Sequence, residues 1–292
     1  MSKVNNRKPL QLSYAIRSFV GYLEGTFKSA HTIKSYQSDL GTFSEFLKVG
    51  LGSKSVAFHQ LTKKDLDAYP DYLKKLGLKT NSRRRKLLTV RKWLKYLQLR
   101  GKLTVDMAGQ IPAPHKVERV PFTVGWPDLM LAIGKLPESP LLLIRNKVLL
   151  QILAETGCTV SELPKLRLED FSGNSVTLGV KNKRQVPVSS ELRRLVHKLA
   201  EEAVVTPEDP WLFLGFNKFG SLGAPITPRG IEMLVKGHAK ILGFKQLSPR
   251  TIRHSRTVHW LKTEKKPISE AQTLLGLKSD YSFRLYAPLL NT

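Results

Sequence analysis

The sequence predicts a mostly α-helical chain with one small β-sheet, divided into two domains. Three observations carry this. The length of 292 residues is enough for two domains. Apolar residues recur at helical spacing both before and after a Pro-rich stretch. In the second half, two short β-rich runs flank a basic turn, the pattern of a hairpin. The predicted division is a helical domain over 1–110, a linker over 111–122 and a second domain over 123–292.

The elements follow in order. In "AHTIKSYQSDLGTFSEFL", Ile33, Tyr36, Leu40, Phe43 and Leu47 fall on one helical face, with Thr32 as the expected N-cap. "LTKKDLDAYPDYLKKL" starts on Thr62, three residues before Asp65, a capping-box spacing. Pro70 interrupts it and is expected to bend or split the helix. In "TNSRRRKLLTVRKWLKYLQLRG", Leu87, Val90, Leu94 and Leu97 line one face and Gly101 is the natural stop. "GQIPAPHKVERVPF" holds Pro112, Pro114 and Pro121 and breaks helix, which makes it the linker. "SPLLLIRNKVLLQILAETG" is a strongly apolar helix ending at Gly157. Val176 to Val180 and Gln185 to Val188 are the two expected strands. "SSELRRLVHKLAEEA" reads as a capped helix, "WLFLG" as a short extended run, and the remainder as helical. No repeat or low-complexity segment stands out.

The charge balance narrows the partners. The chain has 48 Lys and Arg against 23 Asp and Glu, a net charge of +25. Such an excess on a folded chain points to a polyanion, and duplex DNA comes first. Lys63, Lys64, Arg83, Arg84, Arg85, Lys86, Arg91 and Lys92 crowd the first domain, and Lys165, Arg184 and Arg256 add to the second. Each alone fits a solvated helix face, whereas the cluster as a set argues for phosphate contacts. A single cysteine, Cys158, excludes a disulfide framework or a Cys-rich zinc site within the chain. No metal or cofactor is expected. No apolar run has the length of a membrane span, and the start lacks the apolar stretch of a secretory leader. A soluble, cytoplasmic, nucleoid-associated protein is expected.

Three segments in series carry a resemblance. "ETGCTVSELPKLRLEDF", "LSPRTIRHSRTVHWL" and "LLGLKSDYSFRLY" resemble the signature segments of the tyrosine recombinase (phage integrase, Xer-type) family. Thr156, Gly157, Ser161, Glu162, Leu163, Leu166 and Asp170 match the first of these. The N-terminal helices are similar to that family's core-binding domain, so the resemblance spans nearly the whole chain. It implies an N-terminal helical, SAM-like core-binding domain followed by a catalytic-type domain, together clamping duplex DNA. Partners would be other copies on the same DNA or an intact recombinase relative.

The family's reaction is transesterification at a phosphodiester. A tyrosine hydroxyl attacks phosphorus, a 3′-phosphotyrosine forms and the 5′-oxygen leaves. Two arginines and one or two histidines balance charge on the phosphate, and a hairpin lysine protonates the leaving oxygen. By resemblance, Tyr286 stands at the nucleophile position, about nine residues after the Leu-Gly segment, and Tyr281 falls too early. Arg253 matches the second arginine, with His254 beside it. Lys181 and Lys183 bracket the hairpin lysine, and Asn182 falls there if no gap is allowed.

Three positions depart from the pattern. Thr159 stands where the first arginine belongs, Arg250 where the first histidine belongs, and Leu277 where a histidine or tryptophan follows Leu-Gly. A threonine offers one hydroxyl where a forked guanidinium is wanted, and a leucine offers no hydrogen bond. Arg250 adds a positive charge, and Arg256, one turn beyond Arg253, is expected to face a similar way. Beyond Tyr286 runs only "APLLNT", with Pro288 opposing a helix, so the partner-docking helix of many relatives is not expected. The leading reading is a DNA-binding member of this family with an impaired catalytic site. Two alternatives stay open. One is an active recombinase that uses Tyr286 with a non-standard phosphate clamp. The other is a nucleoid or transcriptional protein unrelated to recombination.

Overall fold

The computed structural model describes residues 11–26, 29–52, 56–57, 61–103, 106–109, 111–179, 182–203, 210–216 and 222–291. Lys181 and Val180 lie outside them. The chain divides into two compact units, 1–118 and 119–292. Each is described by itself.

The first unit is built from α1 (Leu12–Gly25), α2 (Ala30–Leu51), α3 (Lys63–Lys75) and α4 (Thr80–Leu99). Leu40, Phe43 and Leu47 of α2 meet Leu66, Tyr69 and Leu73 of α3. Leu87, Val90, Trp93, Leu94 and Leu97 of α4 fill the middle, all buried. Helix α2 begins earlier than its apolar spacing suggests. Its N-cap is Ser29, whose hydroxyl accepts from the Thr32 amide at 3.2 Å, so Thr32 sits inside the first turn. The capping box of α3 forms as the spacing predicts, with the Thr62 amide donating to Asp65 at 2.8 Å. Pro70 does not split α3. It gives the Leu66 carbonyl no hydrogen bond, but Leu66, Tyr69 and Leu73 anchor the helix on both sides of the gap. Gly101 takes a left-handed φ of 64° just after α4 ends.

The Pro-rich stretch is not free along its first half. Ile111 is buried in the core, the Val117 backbone exchanges two hydrogen bonds of 2.9 Å with the Asn81 amide, and the Pro114 carbonyl accepts from Arg84.

The second unit centres on α6 (Leu141–Thr156), buried continuously from Ile144 to Thr156. Around it pack α5 (Trp126–Gly134), α7 (Ser190–Glu202), α8 (Pro228–His238), α9 (Pro249–Lys262) and α10 (Ile268–Leu275). The polar residues of α6 are each satisfied. Lys147 donates to the Gly134 and Leu136 carbonyls and to Glu138, and Glu155 accepts from the Ser189 amide and hydroxyl. A three-stranded antiparallel sheet runs β1 (Phe171–Ser172), β2 (Ser175–Leu178), β3 (Arg184–Pro187), with Val176 opposite Val186. A second hairpin pairs β4 (Leu214–Phe216) with β5 (Leu222–Pro225). The chain closes through a 3₁₀ helix, Asp280–Tyr286, and a short α11 (Ala287–Leu290). Pro288 lies in the first turn of α11, where a missing N–H is harmless. It starts that turn instead of preventing it. Among the described residues no helix is long and apolar enough to cross a membrane.

Candidate active site and nucleic-acid interface

Two helix ends bring the site residues of the second unit together. Helix α6 ends on Gly157 and α10 on Gly276, both in left-handed conformation with φ of 60° and 64°. Each cap leaves a backbone carbonyl beside α9, and Arg253 uses both. Its Nη1 donates to the Gly157 carbonyl at 2.5 Å and its Nη2 to the Leu275 carbonyl at 2.9 Å. The guanidinium is thereby fixed, and its burial lowers its pKa.

The 3₁₀ helix sets the tyrosines. At three residues per turn, Phe283 and Tyr286 share a face, and both are buried. Tyr281 is 50% exposed, with the Arg284 guanidinium 4.8 Å from its ring centre. Tyr286 is only 5% exposed. Its Oη lies 2.6 Å from His254 Nδ1. Burial raises the Tyr286 pKa, opposed by the Thr257 hydrogen bond and by Arg253 and Arg250. Burial pushes the His254 imidazole down to about 4, helped by Arg250 and Arg253.

The altered positions take distinct surroundings. The Thr159 amide and hydroxyl both donate to Glu162, at 2.7 and 2.8 Å. Glu162 is also held by Arg184 Nη1 at 2.6 Å. Burial pushes the Glu162 carboxyl up, but the Arg184 and Thr159 hydrogen bonds prevail and its pKa is lowered. Leu277 packs its side chain on the core. Arg250 is exposed and its Nε donates to His254 Nε2 at 3.1 Å. A cavity of about 540 Å³ opens here. Thr159, Arg250, Arg253, Lys236 and Arg229 line it, and Cys158 contributes from below. The Cys158 thiol is 1% exposed and burial pushes it up to about 12.

Two basic residues of this unit differ from the surface role expected of them. Arg256 does not face the way of Arg253. Its guanidinium stacks on Trp126 and Trp260, at 4.2 and 4.7 Å, and bonds the Glu155 carbonyl and Glu264. Arg184 is partly buried, with its side chain 9% exposed, tied to Glu162 and to the Leu274 carbonyl. Its Nη2 has no partner among the described residues. Lys165 and Lys183 are exposed. Thr257 carried no signal as a site residue, although its position four residues after Arg253 places it on the same helical face.

In the first unit, α2 and α4 border a groove of about 600 Å³, with Tyr36, Asp39, Arg84, Arg85 and Lys92 among its walls. Asp39, 1% exposed, sits at its base. It accepts from Arg85 Nη1 at 2.7 Å, Lys86 Nζ at 3.1 Å and Thr89 Oγ1 at 3.0 Å. Lys92 bonds the Tyr36 hydroxyl at 3.0 Å. Lys63 and Lys64 are exposed at the start of α3. Three of the expected phosphate contacts instead serve the fold. Lys86 is buried on Asp39, Arg84 donates to the Pro114 carbonyl, and Arg91 donates to the Ile111 carbonyl. Arg83 keeps one hydroxyl contact, to Thr80, and its Nε is buried without a partner among the described residues.

Comparison with known proteins matches both units. The phage integrase family profile covers residues 128–291, and that of the phage integrase N-terminal SAM-like domain covers 16–101. The tyrosine recombinase XerD of Listeria monocytogenes is 28% identical over 253 residues, 85% of this chain and 84% of that one. The tyrosine recombinase XerC of Herpetosiphon aurantiacus is 28% identical over 274 residues, 90% and 86% of the two chains. Among solved structures, a lambda integrase dimer bound to a COC′ core site superposes with a TM-score of 0.69 at 16% identity, covering 97% of this chain and 79% of that one. The XerH recombinase bound to its difH substrate gives 0.68 at 17% identity, over 87% and 75%. These two share the fold.

Proposed function

The chain belongs to the phage integrase family, and from that premise we propose that it binds duplex DNA through both domains with a phosphate-activating site too depleted for efficient strand cleavage. The carrying observation is the engagement of the residues around Tyr286. Arg253, the one family arginine present, spends two of its donors on the Gly157 and Leu275 carbonyls. Thr159, in place of the other arginine, gives its amide and hydroxyl to Glu162.

In the family reaction Tyr286 Oη would bond to phosphorus as the P–O5′ bond breaks. The tyrosine proton leaves to a neighbouring acceptor, and a lysine such as Lys183 or Lys181 gives one to the 5′-oxygen. Charge grows on the non-bridging oxygens, and each missing donor there costs about 10²–10³ in rate. Binding needs none of these groups. It needs basic surface, and Lys63, Lys64 and Lys165 are exposed for it. The DNA-bound lambda integrase and XerH structures support duplex DNA as the ligand and assembly of several copies on it.

A second reading has its own observation. Arg250 is exposed on the same cavity as Arg253 and would supply a guanidinium to a phosphate placed there. A nicked suicide substrate separates the two. Tight DNA binding without a covalent adduct supports the impaired site. An adduct that forms in the unaltered chain and is lost in Tyr286→Phe overturns it in favour of the active reading.

A further inference from the structure

Three side chains of α9 and the closing 3₁₀ helix, Arg250, His254 and Tyr286, form a hydrogen-bonded chain whose direction is fixed at one end. Arg250 Nε–H is a donor with no acceptor capacity and points at His254 Nε2, 3.1 Å away. That nitrogen must therefore present a lone pair. A neutral imidazole with Nε2 unprotonated carries its proton on Nδ1. Nδ1 faces Tyr286 Oη at 2.6 Å, so the imidazole donates and the tyrosine oxygen accepts. The tyrosine's own proton must then point away from His254.

We infer that Arg250 is a positioning residue: it fixes His254 as the Nδ1–H tautomer, so that Tyr286 receives a hydrogen bond from His254 and turns its own proton away from that ring. The opposite tautomer would set Nε2–H against the Arg250 N–H. The doubly protonated ring would stand between two guanidinium groups in a half-buried place, and burial with Arg250 and Arg253 disfavours it. One neutral tautomer remains.

The consequence for Tyr286 rests on the reading of that residue as the nucleophile, whereas the tautomer does not. His254 already holds a proton on the nitrogen facing Tyr286 and has no capacity there to take a second. It supports a tyrosinate as a donor and does not act as its base. The proton leaves to an acceptor other than His254. An arginine at the family's histidine position thus acts on the nucleophile through His254 before any phosphate is present.

The test is the imidazole nitrogen spectrum of the ¹⁵N-labelled full-length protein at neutral pH, with His254 assigned by the signals lost in His254→Gln. The expected pattern is a protonated Nδ1 and an unprotonated Nε2. Arg250→Glu, whose carboxylate accepts from Nε2–H, should invert the pattern. Arg250→Lys, which carries donors and no acceptor, should keep it. The remaining histidines, unchanged, show that each variant folds. A wild-type Nε2–H tautomer, an uninverted Arg250→Glu spectrum, or inversion in Arg250→Lys overturns the inference. The spectrum needs no DNA. A chain that never cleaves still gives the tautomer, and one that cleaves with the other tautomer overturns only this assignment.

Discussion

His254 Nδ1 and Tyr286 Oη lie 2.6 Å apart, although 32 residues separate them in sequence. This bond ties the closing 3₁₀ helix to α9. Tyr286→Phe leaves the His254 N–H without its acceptor. A loss of about 1 kcal/mol is expected, read by urea denaturation. DNA affinity should stay within about twofold, since binding draws on phosphate contacts spread over the basic surface.

The pH dependence of folding should carry the His254 signature. Its folded pKa is depressed to about 4 from an ordinary 6.5, mainly by burial. Between those values the unfolded chain binds a proton that the folded chain refuses. Stability contributed by the neutral ring is full above about 6.5 and falls as pH drops towards about 4. Thermal melts across that window should show the decline, and His254→Gln should flatten it.

Asp39 is the sole acidic partner recorded for Arg85 and Lys86 among the described residues. Asp39→Ala strands a buried Lys86 ammonium. Breaking a buried pair from one side costs about 3–5 kcal/mol. The first unit should unfold at markedly lower denaturant, visible in the fluorescence of buried Trp93.

Gly157 holds φ at +60°, and a Cβ there would meet Leu275 Cδ2 at 3.1 Å. Gly157→Ala should cost about 1–2 kcal/mol from backbone conformation alone. It should also loosen Arg253, which bonds the Gly157 carbonyl. Differential scanning calorimetry reads the first effect.

DNA affinity should fall steeply with salt. Each phosphate contact contributes about −0.9 to the slope of log K against log salt. Removing Lys63 and Lys64 together should flatten the slope by about two such contacts. Arg91→Ala should change it little, because Arg91 serves the Ile111 carbonyl.

Much of the fold is legible in the spacing of apolar residues. Leu87, Val90, Leu94 and Leu97 repeat at three and four, and all four are buried on one face of α4. The spacing that singles out Tyr286 over Tyr281 is accompanied in the fold by burial of the first and exposure of the second. Direction was not legible. Arg256 reads as one more cation until Trp126 and Trp260 close on it, and Trp126 lies far away in sequence. Arg184 reads as a hairpin surface charge until Glu162 draws it inward. A lone charged residue in a sequence carries no sign of which neighbours the tertiary fold will supply. Pro70 leaves α3 unsplit and Pro288 begins a turn for a related reason. A breaker's effect depends on what anchors the helix around it and on where in the turn it falls.

Cys158 gives the second unit a built-in clock. It is the chain's one thiol, sealed directly beneath the cavity of Arg253 and Thr159, and its buried thiol, pushed up to about 12, is inert to alkylation while that floor stays closed. The rate at which a thiol reagent labels the native protein therefore counts the openings of this floor. Slower labelling in the presence of DNA would mark a ligand that seals the floor. A variant such as Gly157→Ala should label faster, which separates loosening at the site from unfolding of the whole domain.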